Sequence, residues 1–237
     1  MVYMCLSNLL NVEKIYHLYQ PIINLETMEI VGYEALLRTN TPTPIHSNIF
    51  SIAKNEGCLY SLDTLSISKA INVYCQSKEY DTEKVLFINI YPSTIINPEF
   101  IFFINSLNIE NLNVVFEINE YEDINDFDEL LIGIKLLKDK NIKIAIDDIG
   151  KGNLEIFKIL ELNPHVIKID SSITRGITES LEKQLFSKLL VDYCKQLGIE
   201  LVFEGIENKD TLIKMKKDGV IYGQGYLLGK PYMLNSL

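Results

Sequence analysis

The chain has 237 residues, with 22 Lys plus Arg against 32 Asp plus Glu, for a formal charge of −10. That length suits one large domain or two small ones, and 47% apolar with 23% charged residues is globular composition, which excludes a disordered or fibrous chain. The acidic balance excludes a protein that grips long nucleic acid through clustered Lys and Arg, but not a small phosphate-bearing ligand, because bound divalent cations reverse local charge. No apolar run approaches the roughly 18 residues of a membrane span. The start MVYMCLSNLL has no basic residue before Lys14 and no small-residue cleavage site, so no secretory signal is expected. Cys5, Cys58, Cys75 and Cys194 form neither a CxxC pair nor a disulfide framework. A cytoplasmic protein with reduced thiols and no membrane contact is the expectation.

In chain order, Tyr16–Asn24 and Glu29–Glu34 read as strands separated only by Leu25–Met28. Four residues cannot hold a crossover helix, so the two pair as an antiparallel hairpin. The polar stretch Thr39–Asn48 reads as a loop, and helical patterns follow at Ser47–Glu56 and Leu62–Ser77. Beyond them, strands at Val85–Ile88, Val114–Phe116, Ile142–Ile146, Val166–Ile169, Ile199–Phe203 and Val220–Tyr222 alternate with helices at Pro98–Leu107, Asn125–Lys140, Asn153–Leu162, Thr178–Leu197 and Asn208–Lys217. Thr178 and Asn208 suit N-caps, and Gly198 and Gly219 suit the matching C-termini. Eight strands with about seven helices in under 250 residues predict an α/β fold: a closed (β/α)8 TIM-like barrel, as a single domain over 1–237, with one antiparallel strand.

Most of these strands end in polar residues. Asn89, Glu117 with Glu120 beyond it, Asp147 with Asp148, Lys168 with Asp170, Glu204 with Glu207, Gln224, and Glu34 from the hairpin all occupy such ends. In a barrel, parallel strand C-termini converge on one face, where the chemistry is placed. Carboxylates crowded there repel one another unless something positive sits among them, and Asn with Asp and Glu suits Mg²⁺ or Mn²⁺. The adjacent Asp147 and Asp148 let one carboxylate bridge two ions while the other holds the second. Two such ions about 3.5–4 Å apart are the usual arrangement for phosphoester cleavage by water. From the residues alone this is a metal-dependent phosphoester hydrolase. Three other features read more plainly. Gly150–Lys151–Gly152 is a strand-to-helix turn; His17, His46 and His165 have surface or packing roles; and Phe100, Phe102 and Phe103 are helix core.

The segment Gln20-Pro21-Ile22-Ile23 followed by Gly32-Tyr33-Glu34-Ala35-Leu36-Leu37-Arg38 resembles the opening of the EAL domain. Phe87-Ile88-Asn89-Ile90, Phe116-Glu117-Ile118-Asn119-Glu120 and Ala145-Ile146-Asp147-Asp148 are similar to that family's next signatures. Ile167-Lys168-Ile169-Asp170, Phe203-Glu204-Gly205-Ile206-Glu207 and Gly223-Gln224-Gly225-Tyr226 complete them in order, within about residues 16–232. The resemblance implies a phosphodiesterase that opens cyclic di-GMP to linear pGpG with two Mg²⁺ or Mn²⁺ ions. It implies that Glu34, Asn89, Glu117 and Asp147 hold the first ion, and that Asp147, Asp148 and Glu204 hold the second. Lys168, assisted by Asp170, would act on the attacking hydroxide, and Glu204 and Glu207 would complete the catalytic set. Arg38, Gln20 and Gln224 would meet substrate, and Glu120 would anchor the loop after the double aspartate.

That loop departs from the family. Where the family has Phe-Gly-Thr-Gly-Tyr-Ser-Ser, this chain has Ile149-Gly150-Lys151-Gly152-Asn153-Leu154-Glu155, and Asn119 replaces a Thr before Glu120. In the family the loop is associated with dimerisation and with the second ion, so Lys151 is expected to compete with that ion for a carboxylate. Two readings follow, an active cyclic di-GMP phosphodiesterase or a silent module that senses cyclic di-GMP or binds a protein. Retention of every implied metal ligand favours the enzyme. With no room for a sensor domain, control is expected from expression, a regulatory partner protein or a homodimer.

Overall fold

The structure, a computed structural model, describes residues 14–40, 49–119, 122, 126–149 and 156–235. The expectations for Cys5, His46, Glu120, Gly150, Lys151, Gly152 and the helix starts at Asn125 and Asn153 lie outside the described residues.

Eight strands close into a barrel in sequence order. Strand β1 (Ile15–Asn24) runs antiparallel to β2 (Ile30–Thr39) and to β8 (Tyr222–Gly223). β2, β3 (Val85–Ile90), β4 (Asn113–Asn119), β5 (Lys143–Ile149), β6 (Val166–Ile169), β7 (Glu200–Phe203) and β8 are parallel. The predicted hairpin is therefore the barrel's single reversal. It is longer than its sequence pattern, because β1 stays paired with β2 from Ile23 back to Ile15, opposite Thr39. Asn24 closes the turn, its Oδ1 accepting from the N–H groups of Glu26 and Thr27 at 2.9 and 3.2 Å.

The helices are α1 (Ile49–Asn55), α2 (Leu59–Cys75), α3 (Pro92–Ile95), α4 (Phe100–Ser106), α5 (Phe127–Asp139), α6 (Ile156–Leu162), α7 (Ser171–Thr174), α8 (Leu181–Leu197) and α9 (Lys209–Lys217). The single turns α3 and α7 escaped the periodicity reading, which needs a longer window. Pro92 starts α3, where its missing N–H costs nothing. The cap of α8 is Ser180 rather than Thr178. Glu179 N–H is held by Gly176 O at 3.1 Å in a preceding turn, so the first free hydroxyl is Ser180 Oγ, which accepts from Lys183 N–H at 3.3 Å. Asn208 caps α9 as expected. Val220 is not in β8; its N–H still closes the end of α9 on Met215 O. Phe100 is buried and Phe103 packs on the core, but Phe102 is 73% exposed, which corrects its assignment to helix core.

Strand alternation divides the apolar residues. Leu86, Ile88, Phe116, Ile144, Ile146, Ile167, Ile169 and Phe203 face outward into the main core under the helices. Ile22, Phe87, Val115, Ala145, Val166 and Val202 form a separate cluster inside the barrel. Two residues further along those strands stand Asn89, Glu117, Asp147, Lys168 and Glu204, with Gln20 two before Ile22 on the reversed strand. The inner apolar cluster is thus the floor of the site.

Candidate active site

Lys168 is the centre, 0% exposed. Its Nζ lies 2.8 Å from Glu117 Oε1 and Glu204 Oε1, 3.2 Å from Asp147 Oδ1 and 3.3 Å from Glu34 Oε2. At these distances the Lys168 ammonium pairs with all four carboxylates at once. Two amides orient the acids. Gln224 Nε2 donates to Glu34 Oε2 at 2.7 Å, and Asn89 Nδ2 donates to Glu117 Oε2 at 3.2 Å, across the paired positions of β3 and β4.

Four carboxylates around one ammonium leave an excess of negative charge. Burial opposes the Lys168 ammonium, yet Asp147, Glu117, Glu204 and Glu34 together hold its pKa well above the lysine value. Burial, reinforced by neighbouring acids, raises Glu117 well above the carboxylate range, raises Asp147, and brings Glu204 to about 7. At Glu34 burial is outweighed by Lys168, Gln224 and Asn89, and its pKa is lowered. Asp147, Asp148 and Glu204 each offer an oxygen within 4.8 Å of the others. Four crowded carboxylates with one ammonium among them, and an all-oxygen set in Asp147, Asp148 and Glu204, fit a hard divalent cation.

Adjacent residues of a regular strand point to opposite faces, so Asp147 and Asp148 cannot share a site without a break. The break is present. The β5–β6 register shifts between Ile146 and Ile149, and Asp148 has φ 58°, in the left-handed region that Asp tolerates better than most residues. After β7, Gly205 turns the chain with φ 70°, and a Cβ there would lie 2.5 Å from Ser171 Cβ.

Above the cluster is an open cleft of about 330 Å³, lined by Gln20, Glu34, Leu36, Asp147, Asp148, Glu204, Gly205, Glu207, Gln224, Gly225 and Tyr226. Gln20 is anchored through Nε2 to Gly229 O at 3.0 Å, and Glu207 is exposed at the rim. Arg38 lies four residues beyond Glu34 on the same face of β2, with Nη1 donating to Leu37 O at 2.8 Å. Asp170 is buried and caps α7, Oδ1 accepting from Ser172 N–H at 2.7 Å, so it fixes the end of β6 just after Lys168. His17 bonds Ser66 Oγ through Nε2 at 3.0 Å, and His165 Nδ1 accepts from Ile144 N–H, both packing roles. Sequence reasoning gave no role to Leu36 and Tyr226; Leu36 lies two residues past Glu34 on β2, the period of one strand face, whereas Tyr226 follows Gln224 beyond the end of β8. A cleft of about 750 Å³ near the N-terminal ends of β4 and β5 is larger, but its lining of Asn105, Asn111, Asn113, Lys140, Asn141 and their neighbours gathers no carboxylate cluster.

Fold and site together define a TIM-like barrel with a cation-seeking acidic mouth at its strand C-termini. The family model for the EAL domain matches residues 5–231, and the chain belongs to that family. Probable cyclic di-GMP phosphodiesterase PdeD of Escherichia coli K12 is 29% identical over 232 residues, 91% of this chain and 41% of that protein. The blue light- and temperature-regulated antirepressor BluF of the same organism is 26% identical over 217 residues, 90% of this chain and 53% of that one. The manganese and cyclic di-GMP complex of Klebsiella pneumoniae BlrP1 superimposes with a TM-score of 0.81 at 27% identity, covering 92% of this chain and 56% of that one. The chain therefore spans about half the length of these relatives.

Proposed function

We propose that the whole chain acts as one unit, a metal-dependent phosphodiesterase that hydrolyses cyclic di-GMP to linear pGpG. One observation carries the reading: five strands deliver Glu34, Glu117, Asp147, Lys168 and Glu204 to a single buried cluster with surplus negative charge. Glu34, Asn89, Glu117 and Asp147 would hold one Mg²⁺ or Mn²⁺, and Asp147, Asp148 and Glu204 a second. When bound, such ions lower the pKa of water and offset charge on phosphoryl oxygens. The chain's own residues do the rest. Lys168 supplies a fixed positive charge where negative charge builds in the transition state. Gln224 and Asn89 orient Glu34 and Glu117, and Asp170 holds the strand end that carries Lys168. Arg38 meets a substrate phosphate at the rim, Gln20 and Glu207 line the approach, and Leu36 and Tyr226 offer apolar and aromatic surface to a base.

The names of PdeD and BlrP1's bound ligand support this substrate; the name of BluF supports the alternative, a silent module that works through a protein partner. Among the described residues no helix is long and apolar enough to cross a membrane, and the cytoplasm is the proposed compartment. A homodimer is proposed through α8. The test is to incubate folded protein with cyclic di-GMP and Mn²⁺, with and without chelator, beside a Glu34→Ala variant. Mn²⁺-dependent pGpG from the wild type alone is expected. Uncut dinucleotide after hours with excess Mn²⁺ overturns the enzyme in favour of the module, and near-normal turnover by folded Glu34→Ala overturns the site.

A further inference from the structure

Beside the acidic mouth, two carboxylates remain that the proposed chemistry does not use. Asp63 of α2 is 1% exposed, and its Oδ2 accepts from Tyr91 N–H at 2.9 Å. Glu122, from the segment after β4, is also buried; its Oε2 accepts from Ser93 N–H at 2.8 Å and its Oε1 meets Lys54 Nζ of α1 at 3.1 Å. Both N–H groups belong to the turn that leads from β3 into α3. Tyr91, at the cap position, gives that turn no side-chain bond, so groups 28 and 29 residues away satisfy it instead.

We infer that Asp63 and Glu122 are positioning residues, a two-carboxylate clasp that fixes the turn after β3 and so sets the Asn89 amide in the acidic mouth. The connectivity argues for it. Asn89 lies two residues before Tyr91, and it is bonded to Glu117, which lies five residues before Glu122. The pair β3–β4 is therefore fastened twice: Asn89 to Glu117 where the strands are in register, and Ser93 to Glu122 beyond them. Asp63 ties the same turn to α2, and Lys54 ties it to α1, so the clasp joins two helices to the rim of the site. A buried carboxyl is costly to keep. Burial, with the Glu122 charge added, pushes Asp63 up to about 7, a cost that an apolar residue in α2 would not carry.

This inference rests on the proposed metal site, in which Asn89 is a ligand. Groups that orient metal ligands typically change metal affinity by about 10–100-fold when removed. The test is Mn²⁺ binding to folded protein by isothermal titration calorimetry, together with thermal melts of the metal-free form. Asp63→Ala and Glu122→Ala are expected to weaken Mn²⁺ binding by about tenfold or more. Asp63→Asn, which keeps an acceptor for Tyr91 N–H, is expected to bind like the wild type. Glu122 lies outside the helices and strands, so its variant carries the test should Asp63→Ala not fold. Lower melting temperatures with unchanged Mn²⁺ affinity would reduce the clasp to a structural prop and overturn the inference alone. Failure of the wild type to bind Mn²⁺ would overturn the metal site and this inference together.

Discussion

Lys168 is fully buried, and only its acidic neighbours make that tolerable for an ammonium group. Removing one partner of a buried charge set leaves the others uncompensated. In Lys168→Met that loss falls on four carboxylates, whose protonation or binding of a cation relieves it. If Lys168 acts at the transition state, the variant should lose kcat and kcat/KM together, by about 10²–10³-fold, as loss of a preorganised electrostatic partner does. Steady-state kinetics at saturating Mn²⁺ measure this, and an unchanged kcat with raised KM would make Lys168 a ground-state phosphate contact. Asp63 gives a second prediction at this scale. Its pKa rises from 3.8 unfolded to about 7 folded, chiefly through burial. The stabilising effect of its proton is thus complete below about pH 4 and is lost as pH rises to about 7. Asp63→Asn does not titrate, so its stability relative to wild type should grow by a few kcal/mol across that window and level off above it. Urea unfolding at pH 5 and pH 8 measures the difference, and parallel curves for the two proteins would rule it out.

At the level of elements, the barrel was legible because its strands are short β-branched runs and its hairpin turn is too short for a helix. The site was legible for the same reason. A polar residue two places after an inward apolar one, as in Phe87–Asn89 or Val166–Lys168, must face inward too. What was not legible are the departures from regular geometry. Nothing in the pair Asp147-Asp148 states that a bulge turns both carboxylates to the mouth, and nothing in Asp170 states that it also caps a single-turn helix. Asp63 and Glu122 act through backbone N–H groups, which leave no residue pattern. The turn after β7 is such a departure, and it makes a prediction. Gly205→Ala would put a Cβ 2.5 Å from Ser171 Cβ at φ 70°. Strain of this kind costs about 1–3 kcal/mol, and relieving it must move either α7 or Glu204. Thermal melts should show the loss of stability, with Mn²⁺ affinity falling alongside it. A variant as stable as wild type would mean that the turn relaxes freely.

At the scale of the whole molecule, the face of α8 turned away from the barrel is the feature that a lone domain does not explain. Leu181, Leu185 and Leu189 are 65%, 61% and 63% exposed and lie four residues apart, forming one ridge along the helix. Ridges with four-residue spacing from two helices interdigitate at about −50°, the commonest helix crossing. Glu182 and Lys188 stand three residues before and three after Leu185, and in the proposed dimer an axis beside Leu185 would bring each Glu182 toward the Lys188 of a second copy. The proposed isologous dimer would pack this ridge against the same ridge of a second copy. Phe186, 42% exposed beside the ridge, adds apolar area to the same face. The dimer through α8 predicts that wild-type protein sediments as a dimer and that Leu185→Glu, which sets two carboxylates against each other on the axis, sediments as a monomer. Glu182→Lys should weaken the dimer by setting like charges together, and the double exchange Glu182→Lys with Lys188→Glu should restore it, because it reverses both charges at once. Sedimentation velocity across a concentration series measures all four proteins. A monomeric wild type, or a Leu185→Glu variant that stays dimeric, would remove α8 as the interface.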